Sequence, residues 1–298
     1  MSSDRPLTAL AFTLGEEISS TIFIRFLQIL RAGDYHWPGP VVFAKSAYTT
    51  QARNICIDDF IAHPDFAACR ALLFWDSDQL PPAMIPRPDG SLEWFSQHVE
   101  RILDENPDKM VIGGLYFNRN SEFKKTPDGQ RFEEYPHEPV AYQRTTDEDT
   151  GVVGYKYLDI ERMHQEILHK RFQLHQVGAL GTGSMIIRKQ VITELLTLKA
   201  PAAIFEAPPV PRSYKIPSGR QWTEDLYFCE EVSQKLGYPI WLDSALESGH
   251  RGDQIWISSR HWYNARGVMT APQPIRSDLD ERRLNEAIEK RKRRLTAR

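Results

Sequence analysis

The sequence predicts an α/β protein with a mixed, mostly parallel open sheet flanked by helices. Three observations predict it. Apolar runs of strand length alternate with amphipathic stretches of helix length through the first part of the chain. One run, ALLFW at 71–75, is apolar throughout, as a strand covered on both faces must be. The composition, 41% hydrophobic and 26% charged over 298 residues, can fill a large core.

The elements follow in order. LTALAFT (7–13) reads as the first strand. GEEISSTIFIRFLQILRAG (15–33) reads as a helix with acids at its start, apolar residues at near-helical spacing and Gly33 at its end. PVVFAKSA (40–47) is a second strand. TTQARNICIDDFIAHP (49–64) is an amphipathic helix opened by threonines that could cap it and closed by Pro64. CRALLFW (69–75) is a third strand, SLEWFSQHVERILDENP (91–107) a helix and MVIGGLYF (110–117) a strand. Strand and helix in alternation imply parallel pairing with right-handed crossovers.

The middle, 118–154, is polar and carries turn signals at PDG and DEDTG, so it reads as loops and a hairpin. A short helix is expected over 158–170. FQLHQVGALGTGSMIIRKQVITELL (172–196) reads as strand, glycine turn, strand and helix. Residues 200–222 are proline-rich and irregular, a candidate loop over a site. TEDLYFCEEVSQKLG (223–237) is a helix capped by Thr223, acidic in its first turn and ended by Gly237. YPIWLDSA (238–245) is the last strand. We expect one domain over 1–270 and a charged helical tail over 271–298 ending in EKRKRRLTAR.

The net charge of −3 points to no strongly basic or acidic partner. Cys56, Cys69 and Cys229 are odd in number, far apart and form no CxxC, which argues against a disulfide framework or a cysteine-ligated zinc and suits a cytoplasmic location. The most apolar stretch, TIFIRFLQIL, is interrupted by Arg25, so no integral membrane segment and no signal peptide are expected.

The segment richest in chemistry is LLFWDSDQLPP (72–82). Asp76 and Asp78 follow a buried strand at its carboxyl end, where open α/β sheets bind ligands. Alternation puts both on one side of an extended chain, and two close carboxylates call for a cation or a proton between them. Alone, the pair would read as an ordinary turn cap. Read alone, too, the glycines of GALGTG would serve a hairpin, Asp225 would complement a helix N-terminus and His250 would be a turn histidine beside Gly249.

Together with other segments, the pair resembles the DxD-containing nucleotide-sugar glycosyltransferases of the GT-A fold, family 2-like. The segments are ARN (52–54), LLFWDSDQLPP, GALGTGSMIIRKQVI (178–192), TEDLYFCEEVSQKLGYPIWLD (223–243) and SGHRG (248–252), which lie in the family's order. The resemblance implies a GT-A-like, Rossmann-type domain that transfers sugar from a nucleoside diphosphate sugar to an acceptor hydroxyl, with Mn²⁺ or Mg²⁺ as cofactor. A histidine ligand tilts that choice toward manganese.

It implies roles residue by residue. Asp78 and His250 bind the metal, and Asp76 binds the ribose or reaches the metal through water. Asp225 is the general base, and Glu224 orients or caps. Arg53 and Asn54 serve the nucleotide sugar, and Gly181 and Gly183 let the donor sugar or acceptor approach the backbone. With Asp225 as base, transfer is expected to invert the anomeric centre. The acceptor could be a glycan, a lipid-linked glycan, a protein or a modified nucleic acid. Two alternatives stand beside this reading: a metal-dependent nucleotidyltransferase, and a non-catalytic relative that holds a nucleotide sugar. FTLGEE (12–17), with one glycine before two acids, lacks the phosphate loop that the nucleotidyltransferase needs.

Overall fold

The computed structural model describes residues 7–14, 20–31, 37–45, 48–87, 89–118, 122–125, 131–134, 138–149, 151, 153–159, 173–200, 203–206, 223–251 and 256–257. The chain divides into a compact unit, Met1–Ser258, and a second unit, Ser259–Arg298. The second unit, with the expected basic tail, lies outside the described residues, as do most of the expected helix at 158–170, the PDG turn and the proline-rich segment 207–222 with Tyr214 and Trp222.

The first half holds β1 (Thr8–Leu14), α1 (Ser20–Arg31), β2 (Val41–Lys45), α2 (Thr49–Ala62), β3 (Ala71–Asp76), β4 (Gln79–Leu80), β5 (Met84–Pro86), β6 (Leu92–Trp94), α3 (Phe95–Glu105) and β7 (Val111–Leu115). Two hairpins follow: β8 (Glu122–Lys125) with β9 (Arg131–Glu134), and β10 (Ala141–Thr146) with β11 (Val153–Tyr157). Then come β12 (Leu174–Val177), β13 (Ala179–Leu180), β14 (Ser184–Arg188), α4 (Lys189–Lys199), α5 (Glu224–Glu230), β15 (Ile240–Glu247), β16 (Gly249–Arg251) and β17 (Trp256–Ile257).

The central sheet has seven strands in the order β12-β15-β7-β14-β3-β1-β2. β2, β1, β3, β7 and β15 run one way, and β14 and β12 run against them. This is the expected mixed, mostly parallel α/β sheet flanked by helices. The reversed β14 sits at its centre, beside the strand that ends in Asp76.

β3 shows why the sheet buries both faces. Leu73 and Trp75 join a core cluster with Leu10, Phe12, Phe26, Phe95 and Val99, which is the side of α1 and α3. Phe74 points the other way, edge-on to Phe205, and Phe205 stacks on Phe228 of α5. An alternating strand between two apolar layers must be apolar at every position, and ALLFW is. α2 turns Ala52, Arg53, Cys56, Ile57 and Phe60 inward at helical spacing. Arg53 is therefore a charged residue on a buried helix face.

Two local expectations are adjusted. The threonines at the start of α2 are its first helical residues; Tyr48 stands at the cap position, and its side chain makes no capping bond. The segment 91–107 opens as strand β6, paired with β5, before α3 begins. Glu93 in β6 reaches His98 one turn into α3, and Arg101 clamps the same carboxylate. That clamp holds the strand-to-helix turn.

Candidate active site at the carboxyl edge of the sheet

Asp76 is the last residue of β3 and faces Thr13 across the parallel β1 pairing. The Thr13 hydroxyl donates to Asp76 Oδ1, and the Asp76 amide donates to the carbonyl of Gly183 at 3.0 Å. Asp76 Oδ2 accepts from Arg53 Nη2 at 3.1 Å. Arg53 Nη1 donates to Glu224 Oε1 at 3.0 Å and Asp225 Oδ1 at 2.5 Å. One guanidinium, 3% exposed, thus ties three carboxylates from two distant segments together. Burial opposes the charge on Arg53, but Asp225, Asp76 and Glu224 more than reverse that, and it stays firmly cationic.

The acids sit on α5 because the local sequence starts a helix there. The Thr223 hydroxyl accepts from the amide of Leu226, and Glu224 and Asp225 fill the first turn, where negative charge is favoured. Gly237 ends the following π-helical turn at φ +74°, as its place in the sequence implied. Asp225 Oδ1 also accepts from the Thr182 hydroxyl. Oδ2 of Asp225 accepts no hydrogen bond from the described residues, so the side chain is anchored through one oxygen and offers the other. Burial first, and then the negative charge of Asp225, push the Glu224 carboxyl up; burial does the same to Asp76, with Arg53 opposing it.

Asp78 and His250 meet beside this cluster. The β15 ladder slips its register between Asp243 and Glu247, a bulge that sends the chain back across the sheet edge. Ser248 then donates its amide to the carbonyl of Leu115 at 3.0 Å, and β16 pairs antiparallel with β4, His250 opposite Gln79. The Arg251 amide donates to the Asp78 carbonyl at 2.8 Å, and the Ser248 hydroxyl to Gln79 Oε1 at 2.7 Å. The ladder and this buried clasp fix where Asp78 and His250 stand. His250 is buried in a strand and is no turn residue.

His250 Nδ1 lies 2.6 Å from the carbonyl of Phe117, so it is the donor, and in the neutral ring Nε2 is the nitrogen with the lone pair. Nε2 faces Asp78 Oδ2 at 3.4 Å. Two ligands at right angles on one cation with bonds of ~2.1 Å stand ~3.0 Å apart, so this pair fits a small divalent ion with little adjustment. Among the described residues, no group of three or more histidine, cysteine or acidic side chains converges as a ready cage. A two-ligand site suits a cation that takes its other oxygens from water and phosphate. Both Asp76 oxygens are engaged by Thr13 and Arg53.

Other expected residues sit in the same place but are otherwise occupied. Arg53 is spent on carboxylates rather than open to a phosphate. Asn54 uses both ends of its amide on the backbone of Phe205, at 2.6 and 3.0 Å, and so pins the segment after α4 against α2. Gly181 and Gly183 do allow close approach, but to protein. A Cβ on Gly181 would lie 1.8 Å from the Tyr116 hydroxyl, and one on Gly183 would lie 2.0 Å from Gln79 Nε2. Tyr116 and Gln79, together with Thr13 and Thr182, are the site residues that the sequence reading missed. The only signal for Gln79 was its place directly after the aspartates.

No family model matches the chain, and no curated protein matches it. Solved structures resemble it at low identity. A197 from STIV gives a TM-score of 0.47 at 18% identity, over 86% of this chain and 92% of that one. GalNAc-T7, solved with UDP, GalNAc and Mn²⁺, gives 0.45 at 12% identity over 95% of this chain and 55% of that one, so this chain spans about half its length. The 4-diphosphocytidyl-2C-methyl-D-erythritol synthase of Anaerococcus prevotii gives 0.28 at 9% identity, over 77% of this chain and 96% of that one. At these scores the likenesses carry no argument about function, which rests on the side chains above. No helix among the described residues is long and apolar enough to cross a membrane.

Proposed function

We propose that this chain is a metal-dependent glycosyltransferase that moves a sugar from a nucleoside diphosphate sugar to an acceptor hydroxyl. The observation that supports it is convergence. Asp76, Asp78, Glu224, Asp225 and His250 come from three separate segments: Asp76, Glu224 and Asp225 meet on Arg53, and Asp78, two residues after Asp76, faces His250. The cluster carries more negative than positive charge, which favours a cation there.

Asp78 and His250 would hold Mn²⁺ or Mg²⁺, with Asp76 acting through water, and the ion would supply the charge that stabilises the departing diphosphate. The chain's own residues do the rest. Arg53 and Thr182 hold Asp225 by Oδ1, so that Oδ2 can take the proton of the acceptor hydroxyl. The acceptor oxygen bonds to the anomeric carbon as the bond from that carbon to the diphosphate oxygen breaks, and the bonding pair leaves with the diphosphate. One displacement of this kind inverts the centre. Glu224 shares Arg53 and keeps Asp225 in place. Arg53 acts by orienting Asp76 and Asp225, and Asn54 by holding the Phe205 segment. The three free cysteines are buried, which fits a reducing cytosol, and a cytoplasmic location belongs to the proposal.

The test is nucleotide release from UDP-, GDP-, CMP- and dTDP-sugars with Mn²⁺, for wild type and Asp225→Asn. Wild type should turn over one nucleotide class. Asp225→Asn should bind it and turn over ~10²–10⁴-fold more slowly. Turnover by Asp225→Asn at the wild-type rate would remove Asp225 as base, and retained anomeric configuration by proton NMR would remove the single displacement.

A further inference from the structure

Tyr116 follows β7 and is 5% exposed. Its ring stands edge-on to the His250 ring, with centroids 5.4 Å apart at 88°. Its hydroxyl lies over Gly181, and the Gly183 amide donates to it at 3.4 Å. The phenol thus spans the two halves of the site, with the Asp78–His250 pair on one side and the turn that carries Thr182 to Asp225 on the other. At neutral pH an ordinary phenol carries its O–H.

That hydrogen has no acceptor among the described residues. The one bond the hydroxyl makes is the bond it accepts from Gly183. A buried donor left without a partner is destabilising, and folded chains seldom keep one without a use. Thr13, Arg53 and Thr182 already occupy the oxygens by which Asp76 and Asp225 are held.

We infer that Tyr116 donates this hydrogen bond to a hydroxyl of the transferred sugar, and so helps to select the glycosyl group rather than the nucleotide. The inference rests on the glycosyltransferase reading and deepens it. A neutral donor among carboxylates matches a polyol: the hydroxyl can accept from the phenol and donate onward to a carboxylate such as Asp225. The diphosphate, being anionic, is drawn to the cation at Asp78 and His250. Gly181 is then required because any side chain there would displace the phenol.

The experiment compares wild type with Tyr116→Phe by calorimetric titration in the presence of Mn²⁺, using UDP, GDP, UDP-sugars and GDP-sugars. The phenylalanine keeps the ring against His250 and removes only the hydroxyl. The expected result is a roughly tenfold loss of affinity for the sugar nucleotide that wild type binds, with affinity for the matching nucleoside diphosphate unchanged. The melting temperature should fall only slightly, because the one bond lost is the long 3.4 Å bond that the Gly183 amide donates to the hydroxyl. Equal affinity of the two proteins for the sugar nucleotide, or an equal loss for sugar nucleotide and nucleoside diphosphate, would overturn the assignment. Binding of no sugar nucleotide by wild type would instead overturn the glycosyltransferase reading, and this inference with it.

Discussion

Replacing Arg53 with methionine tests whether the cluster is built as described. The methionine keeps much of the buried stem and removes the charge. Asp76, Glu224 and Asp225 are only 19%, 21% and 18% exposed, and each gives up its contact with Arg53. Breaking a buried ion pair from one side typically costs about 3–5 kcal/mol, because an uncompensated charge stays behind. Here several charges stay behind, so the upper part of that range is expected at pH 7. A domain with only 5–15 kcal/mol of stability to lose would feel it strongly.

The pH dependence gives the mechanism away. Burial already pushes the Asp76 and Glu224 carboxyls up against the opposing charge of Arg53, and without Arg53 they rise further, so the folded variant binds protons more readily than folded wild type does. Its deficit relative to wild type should therefore shrink as pH falls from 7 toward 5. Urea denaturation at both values measures it. A loss below about 1 kcal/mol at pH 7, or a deficit that does not change with pH, would refute the reasoning.

Three further outcomes follow from other parts of the structure. His98 is buried between Glu93 and Asp243, at 2.7 and 2.6 Å, and despite burial these two carboxylates raise it from 6.5 to about 9. Its contribution, about 3 kcal/mol, is therefore complete below pH 6.5 and fades as pH climbs through 9; denaturation from pH 6 to 10 should show the fall in wild type and a flatter profile in His98→Gln. Burial pushes Glu93 up, but His98 and Arg101 hold it down at about 2, so its contribution is present above its ordinary value and lost only in strong acid. Gly181→Ala should lower stability by about 1–3 kcal/mol, since the new methyl would sit 1.8 Å from the Tyr116 hydroxyl, and the same change in Tyr116→Phe should cost less.

Much of this fold could be read from local pattern. ALLFW had to be a strand covered twice, and TEDLYF had to start a helix, because Thr223 and two acids are enough to begin one. The reversal of β14 was not readable, since a strand's direction is set by what packs around it and leaves no mark in its own residues. The site divides in the same way. The aspartates and His250 carry their chemistry in their type and place. Arg53 looked like a phosphate ligand because a lone arginine is a free charge until its neighbours are known; folding surrounds it with acids more than 170 residues away. Tyr116 was invisible, and Gln79 nearly so, because what marks them is the missing Cβ of a distant glycine.

The most direct test of the account is thermal unfolding of wild type and Asp78→Asn with sugar nucleotides, each with and without Mn²⁺. A ligand held by the folded state alone adds about 2.7 kcal/mol of stability at a hundredfold excess over its dissociation constant. The account predicts a rise in melting temperature with one nucleotide class in wild type that needs Mn²⁺ and disappears in Asp78→Asn. An equal rise without the metal, or one that survives in Asp78→Asn, would contradict it.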